Sequence, residues 1–216
     1  SIRYDGGKNQ YISLQALPVN PSQSPLGAFV SAENNNGTVT IAGSKGGRLM
    51  ITPYAPDIVK VFTLPASLVG STDDSARERR SISVAAVPDV TYTVDDTDDE
   101  YLIRVAGGVT VSVDKNTCFV TFRDDNTVLL SENGGLVNTP GQRTVNFLGM
   151  NDDAFYGAGY NGRNTNIGGT SWTMRNKQTG GWNATWSDPH NICIPCYVST
   201  KGYGVLHPTP PRRPTR

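Results

Sequence analysis

Apolar and polar residues alternate along much of this chain with a period of two. Thr38-Val39-Thr40-Ile41-Ala42 follows the pattern, as does Asp57-Ile58-Val59-Lys60-Val61-Phe62-Thr63-Leu64. The longest stretch runs from Tyr101 to Ser131. Tyr101–Val105 reads as a strand, Gly107-Gly108 as a turn and Val109–Val113 as a second strand. Asp114-Lys115-Asn116 is a further turn, Thr117–Arg123 a third strand, and Val128-Leu129-Leu130 follows Asp124-Asp125-Asn126. Short β-branched runs punctuated by Gly, Asp and Asn predict an antiparallel meander with one buried and one wet face. Helical periodicity is nearly absent: Ser75–Arg80 is too short to stand as a helix and reads as a loop or single turn. The acidic run Asp95-Asp96-Thr97-Asp98-Asp99-Glu100 lacks the Gly and distal Glu of an EF-hand loop, so it reads as a solvated hairpin tip.

From Tyr156 the texture changes. Gly, Asn and Trp crowd between Gly157 and Trp186, predicting a long loop region that reaches from Tyr160 to Trp186. Ile192–Val198 reads as a strand again. The segment His207–Arg216 is rich in Pro and Arg, which forbids a central strand. The expected organisation is one β domain over 1–206 and a tail, junction or added end over 207–216. Composition agrees with many turns: 23 Gly and 14 Pro in 216 residues. Lys+Arg and Asp+Glu balance at 19 each, leaving no electrostatic footprint for nucleic acid. No apolar run approaches the roughly 18 residues of a membrane-spanning helix. The expected partners therefore include neither nucleic acid nor membrane. Asn36-Gly37-Thr38 and Asn183-Ala184-Thr185 are formal glycosylation acceptors. Three Cys give no disulfide framework.

Candidate chemistry is sparse. The two histidines, His190 and His207, fall in a loop and in the tail, and there is no Gly-x-Ser-x-Gly elbow. Cys193-Ile194-Pro195-Cys196 matches Cys-x-x-Cys but lies in a strand-like run. Residues three apart there point to opposite faces, so neither a disulfide nor a shared metal is expected. Carboxylates that could serve glycosidic chemistry, Asp152, Asp153 and Asp188, sit in loops. Trp182, Trp186 and Tyr160 lie among Gly, Asn and Ser, where aromatic rings can stack on sugar faces; Trp172 reads equally as core. No metal and no cofactor are expected.

The C-terminal third carries a resemblance. Phe155-Tyr156-Gly157-Ala158-Gly159 resembles the aromatic-Tyr-Gly-x-Gly signature of glycoside hydrolase family 31. Met174-Arg175-Asn176-Lys177-Gln178 stands where that family carries an Asn-x-Asp or Asn-x-Gln run. The segment Asp188-Pro189 through Ile194-Pro195, Ser199 and Gly202-Tyr203-Gly204-Val205 is similar to the family's following motif. Tyr54–Val61 and the meander from Tyr101 to Glu132 resemble family strands upstream, so the likeness covers roughly residues 40 to 206. Two positions depart from the pattern: Tyr160 stands where a Glu commonly follows the signature, and Gln178 replaces the loop carboxylate of many α-glucosidases.

The resemblance implies a galactose-mutarotase-like antiparallel β-sandwich that precedes a catalytic (β/α)8 barrel. That barrel, of about 250 residues, is absent from this chain and would carry the family's catalytic Asp residues. The implied role is that of a non-catalytic accessory domain, which braces the barrel and lends a loop to the carbohydrate substrate rim through Asn176, Gln178, Trp182, Trp186 and Tyr160. The implied partners are an α-linked oligosaccharide, bound through the parent enzyme, and the missing barrel. Secreted or periplasmic placement is favoured over cytoplasmic. The rival readings are an independent carbohydrate-binding module and, further off, an aldose epimerase. The second needs a base and acid across the sugar, and neither His is well placed to provide one.

Overall fold

The computed structural model describes residues 2–5, 9–13, 24–70, 89–139, 142–148, 154–160, 165–168, 171–174 and 192–206. These are almost entirely β, with one 3-10 turn at Ala66–Leu68. The strands fall into three antiparallel sheets. Sheet A has nine strands: β1 (Ile2–Asp5), β2 (Asn9–Ser13), β7 (Tyr92–Asp96), β8 (Glu100–Val105), β9 (Thr110–Asp114), β10 (Val120–Asp124), β11 (Thr127–Thr139), β12 (Gln142–Leu148) and β14 (Ser171–Met174). Their spatial order is β14-β2-β1-β12-β11-β10-β9-β8-β7. Sheet B is the meander β3 (Phe29–Asn35), β4 (Thr38–Gly43), β5 (Arg48–Ala55) and β6 (Ile58–Leu64). Sheet C has β13 (Phe155–Tyr160), β15 (Ile192–Ser199) and β16 (Gly204–Leu206), with β15 in the middle.

Sheets A and B form the sandwich. Alternation along β4 puts Val39 and Ile41 inward, and β5 adds Leu49 and Ile51. From the facing sheet come Tyr101, Ile103, Val111, Val113 and Val120, and all pack into one cluster with Leu26 and Cys118. Full burial of each such side chain contributes roughly 1.5–3 kcal/mol, so this cluster is the main stabilising element among the described residues. The two sheets are also tied at their hairpin ends. The N–H of Val109, after the β8–β9 turn, donates to the Pro56 carbonyl between β5 and β6 at 2.9 Å, and the Phe29 N–H of β3 donates to the Lys115 carbonyl at 2.8 Å.

The turns follow their chemistry. Asn36 and Gly37 both take positive φ, 50° and 78°, as a two-residue hairpin with a twist-matched turn requires. The acidic run is the β7–β8 hairpin tip. Its carboxylates go to neighbouring cations: Asp95 to Arg104 at 2.8 Å, Asp96 to Lys115 at 2.5 Å and Glu100 to Arg123 at 3.1 Å. The stretch Thr117–Phe119 departs from the expected strand. Asp114 Oδ1 accepts the N–H groups of Asn116 and Thr117, and the Cys118 N–H returns to the Asp114 carbonyl. This local turn holds Cys118 at φ 55° and delays β10 until Val120. Ser75–Arg80 and the tail 207–216 lie outside the described residues.

Candidate functional site

The Tyr-Gly-x-Gly run has a structural reason. In β13 Gly157, Ala158 and Gly159 take φ of 122°, 64° and 90° in succession. The register against β15 jumps at the same point, from Gly157 opposite Tyr197 to Gly159 opposite Cys193. A bulge is thereby built into β15, where residues 194–196 face a single position of β13. A side chain at Gly157 is sterically excluded: a Cβ there would stand 2.6 Å from the Cys196 carbonyl oxygen. Ala158 is buried with Phe155, Ile167 and Tyr197, and Phe155 meets Tyr197 edge-on at 5.8 Å.

This small core anchors the span from 161 to 191. Tyr160 pairs with Ile192, so the span leaves and re-enters sheet C at neighbouring positions. Part way along, it folds back on β13. Asn166 Oδ1 accepts the Phe155 and Gly168 N–H groups at 3.0 and 2.9 Å, and the Ile167 N–H donates to the Phe155 carbonyl at 2.8 Å. It then crosses to sheet A, where β14 pairs with β2 and places Trp172 opposite Ile12. The region expected as one long loop from Tyr160 to Trp186 therefore contains a strand. A four-residue edge strand among Gly and Asn carries too little alternation to be read from sequence.

Of the candidate contact residues, Tyr160 ends β13. Asn176, Gln178, Trp182 and Trp186 lie outside the described residues, on the return limb between Met174, the last residue of β14, and Ile192, the first of β15. Asp152, Asp153, Asp188 and His190 lie outside them too. Cys196 is a free thiol. The strand expected at Ile192–Val198 is present, but the bulge interrupts the regular alternation from which the opposite-face argument for Cys193 and Cys196 was drawn.

Two titratable groups in the described core were not singled out from sequence. Glu132 shares the inward face of β11 with Leu130 and accepts the Val120 N–H at 2.9 Å. Burial pushes its carboxyl up to about 7, against the lowering effect of that hydrogen bond. Cys118 is buried beside it, and burial, then Asp114 and Glu132, push its thiol up to about 11. Among the described residues no cluster of His, Cys, Asp and Glu could hold a metal ion.

The comparisons agree with this arrangement. Residues 48–212 match the family described as the glycosyl hydrolase 31 N-terminal galactose mutarotase-like domain. No curated protein matches the chain. Among solved structures, it is similar to a GH31 dextranase from Flavobacterium johnsoniae, in one structure complexed with isomaltotriose and in another with glucose. Each superposes with a TM-score of 0.74 at 21% identity, covering 85% of this chain and 22% of the dextranase chain. The chain thus spans about a fifth of the length of that relative. With an all-β sandwich, the bulged Tyr-Gly-x-Gly strand and a family match over most of its length, the chain belongs to the glycosyl hydrolase 31 N-terminal galactose mutarotase-like domain family.

Proposed function

We propose that this domain serves a larger glycoside hydrolase as a non-catalytic accessory unit. In that role it braces the catalytic barrel and holds the 161–191 span over the rim of the carbohydrate site. The observation that carries this reading is the pinning of that span. Its ends are paired at Tyr160 and Ile192, and its middle is tied to Phe155 and to β2. The return limb with Asn176, Gln178, Trp182 and Trp186 thus starts and ends on ordered strands, and loops held on a rigid scaffold are the usual place for binding residues. Amides suit sugar hydroxyls as paired donors and acceptors, and the indoles suit sugar faces. The substrate class is an α-linked oligosaccharide, in keeping with the isomaltotriose bound by the dextranase.

The test uses the full-length parent enzyme with Asn176→Ala and Gln178→Ala. A substrate contact predicts a fall in kcat/KM of roughly ten-fold or more, about 1.4 kcal/mol of transition-state binding. Normal kinetics in both variants would remove these residues from the rim. A lowered melting temperature with normal kinetics would leave the span a purely structural role. Tight glycan binding by the 216-residue chain alone, lost in Trp182→Ala and Trp186→Ala, would instead favour an independent carbohydrate-binding module.

A further inference from the structure

A straight strand through Cys193-Ile194-Pro195-Cys196 would set the two cysteine Cα atoms about 10 Å apart, too far for a disulfide. The chain does not run straight there. Cys193 pairs with Gly159 and Tyr197 with Gly157, so four steps of β15 span two steps of β13. Two steps of strand cover at most about 7 Å, where four would cover about 13 Å. The backbone at Cys196 lies hard against Gly157: a Cβ on that glycine would stand 2.6 Å from the Cys196 carbonyl oxygen and 3.0 Å from the Tyr197 Cα. Pro195 suits this geometry. It has no N–H to give a ladder, and β15 is the middle strand of its sheet, where proline is accepted at bulges. The surplus length folded into the bulge draws the Cys193 and Cys196 backbones together, toward the roughly 4.4–6.8 Å Cα separation of a disulfide. The third cysteine is set apart. Cys118 belongs to the cluster between sheets A and B, and its thiol, pushed up to about 11 by burial, then by Asp114 and Glu132, stays protonated. Cys196 is a free thiol and only half-buried. The odd count of three thus divides into one sequestered thiol and one pair.

We propose that Cys193 and Cys196 are a dithiol–disulfide site, which in an oxidising compartment closes across the β15 bulge and staples the point where the 161–191 span re-enters sheet C. The bulge removes the opposite-face objection that a regular strand would raise. The oxidant is a low-molecular-weight disulfide. One cysteine thiolate attacks it, releases one small thiol and forms a mixed disulfide; the other cysteine then displaces the second small thiol. Two S–H bonds of the protein are lost and one S–S bond forms, while the oxidant's S–S bond breaks and its two sulfurs leave as thiols with the two protons. The ring closes one residue past Ile192, the first residue of β15. It therefore fixes the return of the span to the sheet, and the pairing does not depend on what the span contacts.

In the reduced chain Cys196 is open to maleimide, and oxidation should close it. The experiment incubates the reduced 216-residue chain with glutathione disulfide, quenches in acid and alkylates the remaining thiols under denaturing conditions. Trypsin places both cysteines in one peptide, Gln178–Lys201. The expected result is that this peptide is recovered unalkylated and two hydrogens lighter than its dithiol form, at a yield independent of chain concentration, with Cys118 alkylated. Recovery with two alkyl groups, with glutathione left on one sulfur, or linked to a second chain would overturn the proposal. A Cys-x-x-Cys run can also close in an unfolded chain, so the melting temperature supplies the second arm. A ring that fits the bulge stabilises the fold, and the oxidised chain should melt a few degrees above the reduced one. The double variant Cys193→Ser, Cys196→Ser should melt at the same temperature in both buffers. An oxidised chain that melts at or below the reduced one would overturn the proposal, because the ring would then strain β15 rather than staple it.

Discussion

The A/B sandwich and sheet C differ in how much of their own surface they satisfy. In the sandwich, Ile41, Ile51, Ile103, Val111 and Val113 are fully enclosed between two sheets, while charged and hydroxyl pairs face out. Among the described residues, sheet C buries a small cluster around Phe155, Ala158 and Tyr197 and exposes Tyr156, Ile194, Val198 and Leu206. The first region encloses a cluster of apolar side chains between two sheets; the second leaves several of its own exposed. Its bulged strand and the positive φ values at Gly157, Ala158 and Gly159 set where the chain leaves β13 at Tyr160 and returns to β15 at Ile192.

The largest effect expected from a single change lies in the sandwich. Ile103 is fully buried at the centre of the main cluster, between sheets that cannot both collapse into a vacated space. Ile103→Ala should cost about 2–5 kcal/mol, from lost transfer energy plus the residual cavity. Reversible denaturation of the 216-residue chain measures it. A loss under about 1 kcal/mol would mean that the sandwich does not dominate the stability of the chain and would break the comparison at its first term.

A smaller effect, of about 3 kcal/mol, depends on pH. Glu132 has its folded-state carboxyl raised from an ordinary 4.5 to about 7 by burial. The folded protein therefore binds more protons than the unfolded chain between these values. The contribution is fully present below about pH 4.5 and is lost as pH rises through about 7, amounting to roughly 3 kcal/mol at 1.36 kcal/mol per pH unit. Cys118, the thiol facing it, stays neutral over this window because its own value is pushed up to about 11. Glu132→Gln keeps an acceptor for the Val120 N–H and removes the titration. The variant should match the unaltered chain at pH 4.5, exceed it at pH 8 and lose this component of the pH slope. An unchanged slope in denaturant midpoints between pH 4.5 and 8 would refute the assignment.

How legible each region is in the sequence follows from the same contrast. Strands β4, β6, β8, β9 and β15 could be read because alternation and a half-buried face go together. Strand β3 escaped because it is an edge: only Phe29 and Ala32 turn toward the core, and Ser-Ala-Glu-Asn-Asn otherwise looks like a loop. Thr117–Phe119 looked like strand because Thr117 and Phe119 favour strands, but the Asp114 side chain captures the Thr117 N–H, the Asp114 carbonyl the Cys118 N–H and the Thr117 hydroxyl the Phe119 N–H. The Tyr-Gly-x-Gly run was visible only as a family signature. Its reason, a bulge against a strand some forty residues onward, is a long-range fact that local pattern does not encode. The candidate contacts Asn176, Gln178, Trp182 and Trp186 were drawn from residue type and family position. Side-chain polarity marks a class of binding group, while its direction is set by backbone placed from elsewhere.

The smallest effect, at Gly37, gives the sharpest contrast when set beside Gly157, because the pair compares one residue type in the two regions. Gly37 closes the β3–β4 hairpin at φ 78° and has open space where a side chain would go. Gly37→Ala therefore meets only the backbone preference of an L-residue for negative φ, at about 1 kcal/mol. Gly157 has φ 122°, outside the small left-handed well that other residues use, and a Cβ there meets the Cys196 carbonyl at 2.6 Å and the Tyr197 Cα at 3.0 Å. Gly157→Ala should cost roughly 1–3 kcal/mol for backbone strain, and the clash adds to it, since backbone of β15 must move. Movement of β15 displaces Tyr197 from Phe155 and loosens the start of the strand at Ile192, where the 161–191 span returns. In the 216-residue chain Gly157→Ala should thus accelerate maleimide labelling of Cys196, whereas Gly37→Ala should leave that rate unchanged while lowering the melting temperature slightly. Equal labelling in the two variants would show that the bulge is not what holds sheet C in shape.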